Sequence, residues 1–88
     1  MELFTTTSHD EIRTWIDSRG GHPAVERGGK RLRIDFGSHE PNVRRITWDE
    51  FFRHFDSKNM QFVYQNAEPD GSTSRYYRVL DPGDDPQT

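Results

Sequence analysis

Ser8-His9-Asp10-Glu11-Ile12 and Thr47-Trp48-Asp49-Glu50-Phe51 are the stretches that decide the fold, because each resembles the other at an offset of 39 residues. The same offset aligns Ile16-Asp17-Ser18-Arg19 with Phe55-Asp56-Ser57-Lys58. Four positions are identical: Asp10/Asp49, Glu11/Glu50, Asp17/Asp56 and Ser18/Ser57. The repeat predicts two copies of one structural unit.

Each stretch has the features of a helix start. Ser8 and Thr47 are favoured N-cap residues, and a glutamate follows each of them three positions later, which is the spacing of a capping box. Apolar residues then recur at helical spacing, as Ile12, Trp15 and Ile16 in the first copy and as Phe51, Phe52 and Phe55 in the second. The pattern predicts a helix from about Asp10 to Arg19 and a second helix that is capped by Thr47 and ends near Lys58.

A β-hairpin is predicted after each helix. In the first copy, Ala24 to Glu26 and Leu32 to Phe36 are strand-like segments joined by Gly28-Gly29. In the second copy, Met60 to Gln65 and Arg75 to Leu80 are joined by a longer turn around Glu68 to Gly71. The predicted segment between the copies is a polar loop, from Gly37 to Arg45.

These elements predict an α+β fold in the order αββαββ, with two repeated helix-plus-hairpin units and antiparallel sheet. Residues 1–80 form the predicted domain, with units at about 8–36 and 47–80, and residues 81–88 form a predicted disordered acidic tail. Two arrangements bury the apolar stripes: one four-stranded sheet covered by both helices, or two αββ layers related by a pseudo-twofold axis. The repeat favours the second.

Composition narrows the classes of function. The net charge of −3 argues against a general nucleic-acid binder. The chain has no cysteine, which excludes disulfides and thiolate chemistry and is typical of a reducing compartment. Its first residues lack the basic and apolar segments of a secretory signal, and no apolar run is long enough to cross a membrane. We therefore expect a soluble cytoplasmic protein that does not bind membranes.

Candidate catalytic and metal-binding residues have simpler structural explanations. The four histidines lack the i, i+4 spacing of a helical zinc pair, and there is no cysteine to complete a structural zinc site. The carboxylate pairs Asp10/Glu11 and Asp49/Glu50 are explained by helix capping. We therefore expect no catalytic residue, no metal and no cofactor.

A basic segment is the first candidate binding site. Between Arg19 and Arg45 there are seven basic and three acidic residues, although the whole chain is acidic. The functional interpretation is a phosphate or nucleic-acid site at the first hairpin; the structural alternative is a charged edge strand that resists aggregation. The candidate residues are Arg27, Lys30, Arg31, Arg33, Arg44 and Arg45.

Aromatic residues are the second candidate. Trp48, Tyr64, Tyr76 and Tyr77 are candidates for a surface that binds a partner protein or a sugar. Their periodic positions also suit the core, because only 30% of the residues are apolar.

Six segments cover nearly all of the chain except the tail: Ser8 to Trp15, Arg19 to Ala24, Leu32 to Phe36, Ile46 to Phe52, Phe62 to Gln65 and Ser74 to Tyr77. Through these segments the chain resembles a family of short uncharacterised bacterial proteins. Members often carry the name 1,4-alpha-glucan branching enzyme. Branching enzymes that resemble the amylases use a barrel of about 250 residues, which 88 residues cannot form. The resemblance therefore implies no catalytic residues.

Three hypotheses about function follow, in order of preference. The first is a non-catalytic module that binds another protein, or itself, through a sheet edge or an aromatic face. The second is nucleic-acid or phosphate binding through the hairpin from Arg27 to Arg33. The third is a carbohydrate-related role, as the family name suggests.

Overall fold

Two helices and two small antiparallel sheets make up the described part of the fold, which confirms the α+β class. The computed structural model describes residues 2–28, 31–37 and 42–82. Its helices are α1 (His9–Asp17) and α2 (Trp48–Ser57). Its strands are β1 (Phe4–Thr6), β2 (His22–Glu26), β3 (Leu32–Asp35), β4 (Val43–Arg45), β5 (Gln61–Tyr64) and β6 (Tyr77–Leu80). Most of the predicted acidic tail, residues 83–88, lies outside the described residues.

Both helices begin at the predicted caps. The side chain of Ser8 accepts a hydrogen bond from the Glu11 N–H, and that of Thr47 accepts one from the Glu50 N–H. The capping box at α1 is only half formed, because the Ser8 N–H donates to Thr6 Oγ1 instead of to Glu11. Removing either cap oxygen is expected to cost about 1 kcal/mol.

The order of elements differs from the predicted αββαββ, because a short strand precedes each helix. The missed strands are β1 and β4, and β4 lies in the segment predicted as a polar loop. Each is three residues long and mostly polar, so neither shows the alternation that identifies a strand from sequence. Pairing with a strand distant in the chain stabilises them, and local sequence does not reveal such pairing.

Each sheet contains strands from both halves of the chain. One sheet has the order β1-β5-β6 and the other has the order β3-β2-β4. The strand β1 pairs with β5, with Phe4 opposite Tyr64, while β4 pairs with β2, with Val43 opposite Glu26. The two predicted hairpins, β2–β3 and β5–β6, are present. Because β1 and β4 cross between the halves, neither half has a complete sheet of its own.

The core lies between the helices and the sheets. The helices contribute Ile12, Trp15 and Ile16 from α1 and Phe51 and Phe55 from α2. The sheets contribute Leu32, Ile34, Phe62 and Tyr64, and Met60 adds to them from the position just before β5. Phe62 is fully buried on the central strand β5, where its ring packs against Trp15, Tyr64 and Tyr77. The aromatic residues thus supply much of the core, as the low apolar content requires.

Candidate interaction groove

An open groove lies between β3 and β6, the edge strands of the two sheets. Its volume is about 470 Å³. Within the part of the chain that the structure describes, no strand pairs with the outer side of β3 or of β6. The groove is therefore bordered on both sides by strand edges. Its walls are formed by Arg31, Leu32, Arg33, Tyr77, Arg78, Val79 and Leu80.

The backbone of β3 directs polar groups into the groove. The Glu26 N–H donates to the Arg31 carbonyl at 3.0 Å, so residues 31, 33 and 35 face β2. In an antiparallel pair the hydrogen-bonding direction alternates along the strand. The N–H and C=O groups of Leu32 and Ile34 therefore point to the open edge.

The same alternation holds on β6. The Gln65 N–H donates to the Tyr76 carbonyl at 3.2 Å, so residues 76, 78 and 80 face β5. The backbone groups of Tyr77 and Val79 consequently point outward. Unsatisfied backbone groups on a strand edge form a template for pairing with another chain.

Tyr77 joins the two edges at one end of the groove. Its hydroxyl accepts a hydrogen bond of 2.9 Å from the Ile34 N–H, which is an outward-facing group of β3. Its half-buried ring contacts Phe36 and Phe62. One open-edge donor is thus satisfied by a side chain, and the position of β6 against β3 is fixed at that point.

The groove is positively charged. Arg31 and Arg78 are exposed, one on each wall, and no ion pair joins either of them to an acidic side chain among residues 2–28, 31–37 and 42–82. Arg33 forms an ion pair with Glu26 at 3.2 Å. Among the residues that the structure describes, none that lines the groove is acidic.

The structure divides the predicted basic patch between two edges of one sheet. Arg31 and Arg33 are on or beside β3, whereas Arg44 and Arg45 are on β4, the opposite edge. Arg27 lies in the exposed turn after β2. Lys30 lies outside the described residues. Of the five that the structure describes, Arg33 and Arg45 both lie opposite Ala24 and share one face of the sheet, whereas Arg44 alternates to the other face.

Ion pairs also occupy several of these arginines. Arg45 Nε donates to Asp35 Oδ2 at 2.8 Å, and Arg44 approaches Glu50 at 3.9 Å. The hydrogen bond from Arg45, together with one from the Gly37 N–H, lowers the pKa of Asp35. Together with the Arg33–Glu26 pair, these contacts are typical of charged edge strands, which was the structural alternative.

The predicted aromatic surface is also divided. Tyr64 is buried, and Tyr76 is 44% exposed. Trp48 is half-buried on α2, where its ring stacks on Phe52 and lies under the guanidinium of Arg13. Of the four, only Tyr77 lines the groove. In the described chain, no ring contact joins Trp48 to a tyrosine.

Sequence reasoning did not select Arg78, Val79 or Leu80 as site residues. These residues belong to the predicted strand from Arg75 to Leu80. That prediction did not show that the edge of this strand faces β3, because that proximity depends on how the two sheets meet. The sequence did contain one indication that β3 and β6 form sheet edges, because each is the second strand of its predicted hairpin.

A second cavity, of about 540 Å³, runs along α1. Internal contacts occupy its polar groups: Glu11 accepts hydrogen bonds from Thr6 and from the Tyr64 hydroxyl. The Arg19 guanidinium lies over Trp15 and donates to the carbonyls of Ser74 and Asn66. This cavity is therefore built around contacts that hold α1 against the β5–β6 hairpin.

We expect Tyr64 to titrate at unusually high pH. Burial, reinforced by the Glu11 carboxylate, raises the pKa of Tyr64 from 10.0 to about 12. The unfolded chain loses this proton near pH 10, so stability falls as the pH rises from about 10 to about 12. A tyrosinate absorbance titration of the wild type should show one late group that is missing in Tyr64→Phe.

Tyr76→Phe is the matched control for this titration, because it removes an exposed hydroxyl and should leave the late group in place. A late-titrating group that persists in Tyr64→Phe would contradict the assignment.

The comparisons with known proteins add no relative. No protein-family model, no curated protein and no solved structure matches the chain. Among the described residues, no group of three or more histidine, cysteine, aspartate or glutamate side chains is placed to hold a metal ion. None of the helices in the described ranges combines the length and apolar character needed to span a bilayer.

Proposed function

We propose that the protein is a non-catalytic interaction module that binds an extended segment of another protein in the groove between β3 and β6. The observation that carries this proposal is that two open strand edges border one groove. In strand addition, main-chain hydrogen bonds provide affinity, and contacts with alternate side chains provide specificity.

The groove offers both kinds of contact. The backbone groups of Leu32 and Val79 are available on its two sides, and half-buried Val79 and Leu80 give it apolar surface. An added strand would pair with an edge strand and cover this apolar surface. The proposal explains why two neighbouring edges stay open although such edges favour aggregation.

Nucleic-acid binding at the basic hairpin is less well supported. A phosphate site needs cationic groups that converge, but Arg33, Arg44 and Arg45 each contact a carboxylate. The carbohydrate-related role stays a prediction. The absence of cysteine from the chain supports the further proposal that the module works in a reducing compartment such as the cytoplasm.

Proline substitution tests the proposed edge. A peptide-display library is first selected on the wild type, and binding of the selected peptides to Val79→Pro is then measured. Since the Val79 N–H points into the groove, proline there removes no hydrogen bond to β5. We expect affinity to fall about tenfold or more, because outward pairing is blocked.

Thr5→Pro is the matched control. Thr5 lies on β1, the other edge of the same sheet, and its N–H also faces away from β5 by the alternation of the β1–β5 pair. Circular dichroism checks that both variants fold. If the selected peptides bound to Val79→Pro but not to Thr5→Pro, the binding site would be at β1, which would contradict the proposal. A library that yields no binding peptide would also contradict it.

We also propose that the chain is a duplicated βαββ unit rather than the αββ unit predicted from sequence. Three equivalences support this. The first residues of β1 and β4 are 39 positions apart, as are those of α1 and α2 and those of β2 and β5. Both sheets place the strand that follows the helix in the centre. The two edge strands that border the groove, β3 and β6, are also equivalent in this duplication.

A further inference from the structure

We propose that the segment bound between β3 and β6 alternates acidic and apolar side chains, an inference that rests on the proposed strand addition. Two features of the groove lead to it. One is the distribution of charge on its walls, and the other is the pleat of the two edge strands.

The pleat separates the arginines from Leu32, Tyr77 and Val79, and it places Leu80 on the same face as Arg78. Successive side chains of a strand point to opposite faces of the sheet. Leu32, Tyr77 and Val79 pack on the core side. Arg31 and Arg78 therefore lie on the other face of the sheets.

A strand inserted between β3 and β6 would follow the same pleat. One row of its side chains would face the core side, where half-buried Tyr77 and Val79 provide apolar contact. The other row would pass between Arg31 and Arg78, which are exposed and carry positive charge on both walls. Carboxylates in this second row are the complementary groups, because charge-assisted hydrogen bonds are the stronger kind.

Like-charge repulsion excludes the opposite pattern. A lysine or arginine in the second row would be placed between Arg31 and Arg78, and the described lining residues include no acidic group to compensate. Such juxtapositions suppress wrong partners. The groove therefore favours segments that have acidic side chains in one row and apolar side chains in the other.

Peptides of about eight residues, a common strand length, provide the probe. Fluorescein-labelled peptides alternating Val with Glu, Val with Gln and Val with Lys are compared by fluorescence anisotropy on the wild type at several salt concentrations. We expect the Glu peptide to bind about tenfold more tightly than the Gln peptide and the Lys peptide to bind least. The preference for Glu should shrink as salt increases.

The double variant Arg31→Glu/Arg78→Glu should reverse the order and prefer the Lys peptide. The matched control is Arg53→Glu/Lys58→Glu, which changes the net charge equally at exposed positions on or beside α2 that do not line the groove. This control should keep the preference for Glu.

The outcomes separate the two proposals. If the Glu and Gln peptides bound equally well to the wild type and neither bound to Val79→Pro, the proposal of an acidic partner would be wrong and strand addition would still stand. If none of the three peptides bound, the proposal of an acidic partner would also be wrong. The peptide-display selection would then test strand addition independently. A single-stranded oligothymidylate provides the last comparison. If it displaced the Glu peptide and this displacement required Arg31 and Arg78, the proposal of an acidic partner would be wrong and nucleic acid would be the favoured ligand.

Discussion

Phe62→Ala is expected to destabilise the protein by about 3–5 kcal/mol, which is enough to unfold much of a small domain at room temperature. Phe62 is fully buried on β5, and its ring contacts Trp15 of α1 and Tyr77 of β6. Truncation would open a cavity where α1 meets this sheet. Urea denaturation followed by tryptophan fluorescence measures the loss, because Trp15 reports directly on the site.

Phe4→Ala is the matched control for this substitution. Phe4 lies on edge strand β1 and is 38% exposed, although its ring stacks on Tyr64. The same change of side chain there should cost less than half as much, because most of the cavity term is absent. Similar losses in the two variants would mean that the core is not centred on β5.

Cutting the chain between residues 37 and 42 is expected to give two fragments that fold only together. The N-terminal fragment contains β1, whose partner β5 is in the other fragment, and the C-terminal fragment contains β4, whose partner is β2. Chains of about 40 residues rarely fold without disulfides, metals or oligomerisation. Each fragment alone should lack a cooperative thermal transition, and an equimolar mixture should recover one.

Near-ultraviolet circular dichroism of the fragments and of their mixture, with size-exclusion chromatography, measures this dependence. A fragment that folds stably as a monomer would contradict the exchange of β1 and β4 between the sheets. The intact chain with a Gly-Ser linker replacing residues 38–41 is the control, and it should unfold as one cooperative unit.

Local sequence predicted the helices and hairpins well for a physical reason. Ser8 and Thr47 cap the helices that follow them, and the apolar stripe of α1 is the buried set Ile12, Trp15 and Ile16. Alternation in β3 matched the buried Leu32 and Ile34. These features depend on residues close in sequence, so a pattern of period 3.6 or 2 is enough to reveal them.

The site was less predictable because it depends on how the sheets meet. The strand β4 was predicted as loop, since Val43-Arg44-Arg45 has no alternation and exists as a strand through its pairing with β2. Arg31 was identified from charge alone, but its counterpart Arg78 was not, because the two are 47 positions apart in the chain. Neither the amino-acid composition nor the spacing of apolar residues along the sequence indicates that β3 and β6 border one groove.

Amide hydrogen exchange, measured by NMR with and without the bound Glu-Val peptide, tests the central claim most directly. The claim predicts slower exchange at one or more of the outward N–H groups of the two groove edges, those of Leu32, Tyr77 and Val79, with the rate at Thr5 on β1 unchanged. A binding peptide that slows exchange at Thr5, or at none of these amides, would contradict the account.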